Sequence, residues 1–310
     1  MKNTLKVIFY LIISINLAAT MANAATGASF LNIGTSARAI SMGGAYSAVA
    51  NDITAINYNP AGLAELRSNE MMGQHTAWIG GINHEFFAVA MPTHLGTLSL
   101  SVVYLSQGSI EGRDENRNKT TSFGAYDVAA TFSYSRPVSD ELKFGSNIKV
   151  IDQSIADESA MGIGMDFGLV YAPNNLFSSL PAGLTFGMTV QNLGPQMKFI
   201  SEGYNLPLSA GVGVGYTVAN AATIALDVKR RINDKKTEIL FGTEYAPIMP
   251  LALRIGYLKS VNGDTAITFS KVKGVSGGVG IKVLNFSTDY AFTPYGDLGN
   301  AHRISFSTKF

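Results

Sequence analysis

The sequence predicts an all-β fold: a transmembrane β-barrel of the outer-membrane kind, with about 14 antiparallel strands and an N-terminal segment lodged as a hatch in its lumen. Three observations predict it. Residues 1–24 have the form of an export signal. From about residue 70 onward, apolar residues recur at every second position. The connections between these alternating segments divide into a short set and a set with long polar members.

The export signal comes first. Lys2 and Lys6 precede the apolar run "VIFYLIISINLAA", which is shorter than the roughly 20 residues a spanning helix needs. Ala22-Asn23-Ala24 has the small-x-small pattern, so cleavage is expected before Ala25. Three regions follow from this: 1–24 signal peptide, 25–68 luminal segment, 69–310 barrel. The chain has no Cys, which excludes a disulfide framework, a thiolate metal site and a lipid attached at a cysteine. Basic and acidic residues balance at 23 and 22, which argues against nucleic acid as a partner. No later stretch is apolar for long enough to be a membrane helix.

The body of the chain has a period of two. In "MGIGMDFGLVY", Met161, Ile163, Met165, Phe167 and Leu169 alternate with Gly162, Gly164, Asp166 and Gly168. In "HRISFSTKF", Ile304, Phe306 and Phe310 lie on one face, and Arg303, Ser305, Ser307 and Lys309 on the other. The polar face also carries Asp127, Asp227, Lys229, Glu238, Glu244, Arg254, Lys282 and Asp289. A soluble β-sandwich turns its apolar face inward and its polar face to water. Glycine enrichment on the polar face does not suit a solvated strand surface. A membrane barrel accounts for both faces, with apolar residues toward lipid and polar ones toward the lumen. A Lys or Arg facing lipid at the midplane would cost about 2–4 kcal/mol, which enforces the inward placement.

Strands are expected to start near residues 70, 83, 95, 122, 141, 159, 182, 206, 221, 237, 250, 275, 285 and 301. Connections after even-numbered strands are mostly short ("PTHLG", "SRPVSDE", "VANAA", "APIMP", "LN"), with "APNNLFSSLPAG" the exception. Those after odd-numbered strands include "SQGSIEGRDENRNKTTS", "NLGPQMKFISEGYN", "KRRINDKKT" and "KSVNGDTAITFSKVKG". Short periplasmic turns and long extracellular loops give this asymmetry. Trp78 is expected in the aromatic belt at the membrane edge.

The segment before the first strand, "SARAISMGGAYSAVANDITAINYNPAGLAEL", neither alternates nor forms one long helix. Gly43, Gly44 and Pro60 break it. Its backbone would be unsatisfied in lipid. Inside a lumen, small residues could pack closely against the wall. It is therefore expected to enter from the periplasmic side and plug the lower lumen. Wall glycines 162, 164, 168, 211, 213, 215, 278 and 280 would make room for it.

This segment resembles the N-terminal signature of the FadL-like outer-membrane barrels: Ala-Arg-Ala, Met-Gly-Gly-Ala, an Asp-x-x-Ala step, then Asn-Pro-Ala-Gly-Leu. The closing "FSTDYAFTPYGDLGNAHRISFSTKF" resembles the PorV/PorQ branch. The resemblance implies a 14-stranded barrel with an N-terminal hatch that holds the Asn-Pro-Ala motif. The matching hatch positions are Arg38, Met42, Gly43, Gly44, Asp52, Ala55, Asn59, Pro60, Ala61 and Gly62. Two functions are implied. FadL moves hydrophobic compounds through hatch and wall, so one expectation is a hydrophobic small-molecule ligand in a barrel set in outer-membrane lipid. PorV belongs to type IX secretion, so the other is secreted cargo proteins bearing C-terminal signal domains. The outer loop "GSIEGRDENRNKTTS" is strongly polar, unlike a greasy capture groove; the apolar cluster in a long loop is Met197, Phe199 and Ile200.

No enzyme, cofactor or metal signature stands out. Asn59-Pro60-Ala61-Gly62 is also an ordinary Pro-restricted turn ending a short helix. "GVGVGYT" and "GGVGIKV" look like dinucleotide loops, but strand alternation runs through them. His75, His84, His94 and His302 are too far apart in sequence for ligand spacing.

Overall fold

The computed structural model describes residues 26–173, 183–219, 221–248, 250–261 and 274–310. The expected signal peptide lies outside the described residues, as do most of the connections 172–183 and 259–274.

Fourteen strands close into an antiparallel barrel. The first six are β1 Glu70–Ala77, β2 Asn83–Thr93, β3 Gly96–Ile110, β4 Phe123–Pro137, β5 Leu142–Ile155 and β6 Glu158–Tyr171. Then come β7 Leu184–Leu193, β10 Ser209–Val218, β11 Ala222–Arg231, β12 Lys236–Ile248 and β13 Leu251–Val261. β14 Val275–Val283, β15 Phe286–Pro294 and β16 Asn300–Lys309 complete it. β8 Met197–Phe199 and β9 Glu202–Tyr204 form a separate hairpin between β7 and β10. The seam closes by pairing β1 with β16, from Glu70 opposite Lys309 to Ala77 opposite His302. We call the end that carries Glu70 and Lys309 the near end, and the opposite one the far end.

The two faces of the wall sort as the alternation requires. On β6, Met161 is 70% exposed and Ile163 53%, while Asp166 between its apolar neighbours is fully buried. Leu100, Phe132, Ile148, Leu253 and Phe306 are likewise exposed. Ser99, Ser101, Thr131, Ser133, Asn147 and Arg303 are buried on the inner face. An apolar exterior around a polar interior is the arrangement of a barrel made for lipid. The hydrophobic core lies within the ring, where Met42, Tyr46, Ile53, Ile56 and Leu63 pack against wall residues such as Phe86, Val103, Ile151 and Leu240.

Several details differ from expectation. "KRRINDKKT" is mostly strand: β11 and β12 leave only residues 232–235 as a turn. β3 continues past a register shift between Ser106 and Ser109, so the polar loop shrinks to 111–122. Bulges carry the ladder further than the side-chain pattern does. Met197 is buried against Gly162 of the inner wall and contributes nothing to an outer groove. Trp78 lies over the buried Arg303 guanidinium, 4.8 Å from ring centroid to Cζ, and near Tyr295, so it covers that cation rather than facing lipid. Lys282 is exposed close to the near end of β14.

Candidate functional site

The segment before β1 packs against the inner wall along the length of the barrel. Its direction corrects the expectation. Gly27 N donates to Asn205 O at 2.9 Å, and Thr26 Oγ1 to Asp234 Oδ1 at 2.5 Å. Both partners are at the far end. The segment therefore begins there and descends to Glu70 at the near end.

Helix α1 (Ala37–Ser41) starts where the Ser36 side chain accepts from Ala39 N. The helix presents Arg38 to the wall. Its Nε and Nη2 hold both oxygens of Glu244 on β12, at 2.8 and 2.7 Å, and its Nη1 reaches Asp52 Oδ2 at 2.9 Å. Glu244 also accepts from Arg254 at 2.5 Å, and Arg254 reaches Asp289 at 2.6 Å. The result is a row of alternating charges, Asp52–Arg38–Glu244–Arg254–Asp289, that ties the segment to β12, β13 and β15. Forked guanidinium–carboxylate pairing of this kind is the strong, directional form of ion pair.

Asp52 fastens the segment to itself as well. It accepts from Tyr46 Oη at 2.7 Å and from the Thr54 amide and hydroxyl. Burial pushes its carboxyl up, but the Arg38 charge and these hydrogen bonds outweigh burial and hold it below the ordinary aspartate range. A depressed folded value means the contribution is present above the unfolded value and is lost as pH falls through the folded one. Protease protection of the segment should therefore be flat from pH 7 to about 5 and fall only below about pH 4. A midpoint near neutrality would rule out control by Asp52.

The remaining contacts are made largely by backbone. Three cross-strand glycine pairs on the inner wall each receive one part of the segment. Gly242 on β12 faces Gly256 on β13, and a Cβ on either would overlap Met42 or Gly43. Gly43 itself needs its positive φ of 67°, and a side chain there would meet Tyr257 N at 2.6 Å. Gly187 faces Gly213 across β7 and β10, and both lie against Ser47. Asp227 on β11 clamps that point, its Oδ2 accepting from Tyr46 N, Ser47 N and Ser47 Oγ at 3.0, 2.8 and 2.7 Å. Gly145 faces Gly168 across β5 and β6, under Asn59 and Pro60.

Asn59 is fully buried. It caps the turn Pro60–Glu65 by accepting from Ala61 N, and its Nδ2 donates to Ser47 O at 2.6 Å and to Leu169 O of the wall at 3.0 Å. Ser135 Oγ donates to Ala61 O at 3.2 Å. Gly62 has no room for a Cβ because Ala50 O lies against it. The Asn-Pro-Ala-Gly turn is thus a structural cap and a wall contact at once.

The sequence-predicted residues fall into two groups rather than one site. Arg38, Met42, Gly43 and Gly44 lie against β12–β14 with Asp52 held to Arg38, and Asn59, Pro60 and Ala61 lie against β4–β6 with Gly62 turned to Ala50. Sequence reasoning missed Ser47 and the seat glycines 145, 187, 242 and 256. For two of the glycines the signal is parity: Gly187 falls between Phe186 and Met188 and Gly256 between Ile255 and Tyr257, as Gly168 does between Phe167 and Leu169. Between residues 30–35 and 57–58 a luminal void of about 60 Å³ remains, lined by Phe30, Ile33 and Val103 and by Lys149, Gln191 and Lys229. A dry cavity that accepts benzene measures about 150 Å³. No ring-sized solute fits in this void without displacing the segment.

The sequence profile of an uncharacterised protein family, UPF0164, matches residues 16–292. The chain belongs to UPF0164. No curated protein matches it. Among solved structures, the UPF0164 chain is similar to the toluene transporter TodX of Pseudomonas putida, with TM-score 0.65, 14% identity, and coverage of 88% of this chain and 96% of that one. It is also similar to the toluene transporter TbuX of Ralstonia pickettii, with TM-score 0.62, 14% identity, and coverage of 89% and 98%. A Pseudomonas aeruginosa FadL homologue aligns with TM-score 0.56 and 11% identity over 94% and 99%. At such identities the likeness establishes a shared barrel fold.

Proposed function

We propose that this UPF0164 barrel is an outer-membrane transport protein for a small hydrophobic solute, and that residues 25–68 are its hatch. The observation that carries the reading is the set of three glycine pairs, each fitted to one backbone contact of the segment. The export-signal pattern of residues 1–24 and the apolar exterior support placement in the outer membrane. Structural neighbours described as toluene transporters and a FadL homologue support the solute class. In this reading Arg38 and Asp52 latch the hatch, Met42–Gly44 and Asn59–Gly62 seat it, and its withdrawal opens the lumen. The function requires no cofactor or catalytic residue.

Deleting residues 36–66 tests this. The deleted barrel should conduct ions in a planar bilayer while the intact chain stays closed. A folded but non-conducting deletion would remove the hatch from the reading.

One observation favours a second role, that of a PorV/PorQ-type acceptor in type IX secretion. The loop 111–122 is polar and exposed, with Glu111 paired to Arg113 at 2.6 Å and to Lys119 at 2.5 Å. Secreted proteins with a common C-terminal β-domain, retained on the purified barrel, would move the assignment there.

A further inference from the structure

Inner-wall glycines 145, 168, 187, 213, 242 and 256 are explained by the segment that lies on them, and 162, 164, 211 and 280 by Met197, Leu206, Thr189 and the Arg254–Asp289 pair. Gly73 is not. It faces outward on β1, has an ordinary φ, and a Cβ placed on it would meet nothing within 4 Å. A glycine in a strand interior is destabilising by about 0.5–1 kcal/mol relative to alanine. No contact within the described residues requires one here.

Its neighbours show what the missing side chain creates. Gly73 pairs with Phe87 on one side and Phe306 on the other, both outward and more than half exposed. Neither ring covers the glycine, so this is not an aromatic packed over a bare backbone. The two phenylalanines stand two strand spacings apart, about 10 Å, with backbone as the floor between them. A single alkyl chain touching both walls needs about 7–8 Å. The groove has a volume of about 480 Å³ and ends toward the far mouth at His75, Glu85 and Tyr104. His75 Nδ1 and Glu85 Oε1 are 2.6 Å apart, an exposed polar pair directly opposite each other on the outer face of β1 and β2. Two charged-type side chains facing lipid are costly unless something polar meets them.

We propose that this slot is a lipid-binding position on the outer wall: one acyl chain of a zwitterionic aminophospholipid lies over Gly73 between Phe87 and Phe306, and its ammonium rests on Glu85. The chemistry follows from the two ends of the groove. The apolar slot admits a chain, and the carboxylate, with one oxygen already engaged by His75, offers the other to a cationic donor.

The test uses native mass spectrometry on full-length protein extracted in mild detergent from membranes containing phosphatidylethanolamine and phosphatidylglycerol. The wild type should retain one lipid, enriched in phosphatidylethanolamine. Gly73→Leu fills the slot without a clash and should lower occupancy about tenfold, the loss of contact with roughly two methylenes. Glu85→Gln should keep a lipid but lose the headgroup preference. Equal lipid retention by wild type and Gly73→Leu, or none by the wild type, would overturn the slot. An unchanged headgroup preference in Glu85→Gln would overturn the role of the carboxylate. Neither arm depends on whether the luminal segment gates transport.

Discussion

Gly256→Leu should turn the closed barrel into a conducting one. The position lies mid-strand on β13, opposite Gly242, and its missing side chain is where the Gly43 amide and the Met42 carbonyl carbon rest. A leucine there meets backbone, which cannot swing aside as a side chain can. Overpacking a well-filled site typically costs about 1–3 kcal/mol, and direct contact with the Met42–Gly43 backbone puts this substitution at or above the upper end. The wall should be unaffected, because the substituted face points inward and the ladder of β13 with β12 and β14 is made by main chain. The strain falls on the segment. The expected result is single-channel conductance in a planar bilayer approaching that of the 36–66 deletion, with an unchanged cooperative melting of the barrel. Gly277→Ala is the control: it sits on the outward face, where a Cβ would lie 3.8 Å from Arg254 O, and should remain closed. A silent Gly256→Leu would mean that the segment has another way to sit.

Arg38→Ala should release the same segment electrostatically. It leaves Asp52, Glu244 and Asp289 facing one another with only Arg254 among them. Removing one partner of a largely buried ion pair costs about 3–5 kcal/mol, because the other charge stays behind unpaired. Arg38 is 20% exposed, so the lower end of that range applies. The measurement is protection of the segment from added protease in detergent, which should fall by about a hundredfold or more. Glu244→Ala combined with Arg38→Ala should recover part of the loss, since the stranded carboxylate is then gone. If the single variant is as well protected as the wild type, the charge row does not hold the segment.

The wall was legible because a strand shows its two environments at every second residue. Met161 to Leu169 against Gly162 to Gly168 is enough to orient β6, and the inward charges Asp227, Glu244, Arg254 and Asp289 are recognisable from parity alone. Their partners were not. Arg38 and Glu244 are 206 residues apart, and nothing local marks them as a pair. The seat glycines 145, 187, 242 and 256 were passed over for a related reason. A glycine in a strand reads as weak β-propensity until the chain that occupies its space is known. The direction of the segment was misjudged because its connection to β1 fixes only one end. Its other end, at Thr26 and Gly27, is fixed by Asn205 and Asp234, which come into reach only when the β8–β9 hairpin and the turn 232–235 are in place. Residues 232–235 and 111–122 show the limit at loop edges, where ladder hydrogen bonds continue after the apolar alternation has stopped.

The way the segment is attached separates two energies that a pore usually confuses. It joins the wall covalently at Glu70 alone, and none of its seats takes a hydrogen bond away from the β1–β16 seam. Moving it breaks side-chain pairs and backbone contacts along one thread and leaves the hoop intact. If the segment withdraws as proposed, the cost falls on those contacts and not on the ring. Either energy can be changed by mutation without disturbing the other.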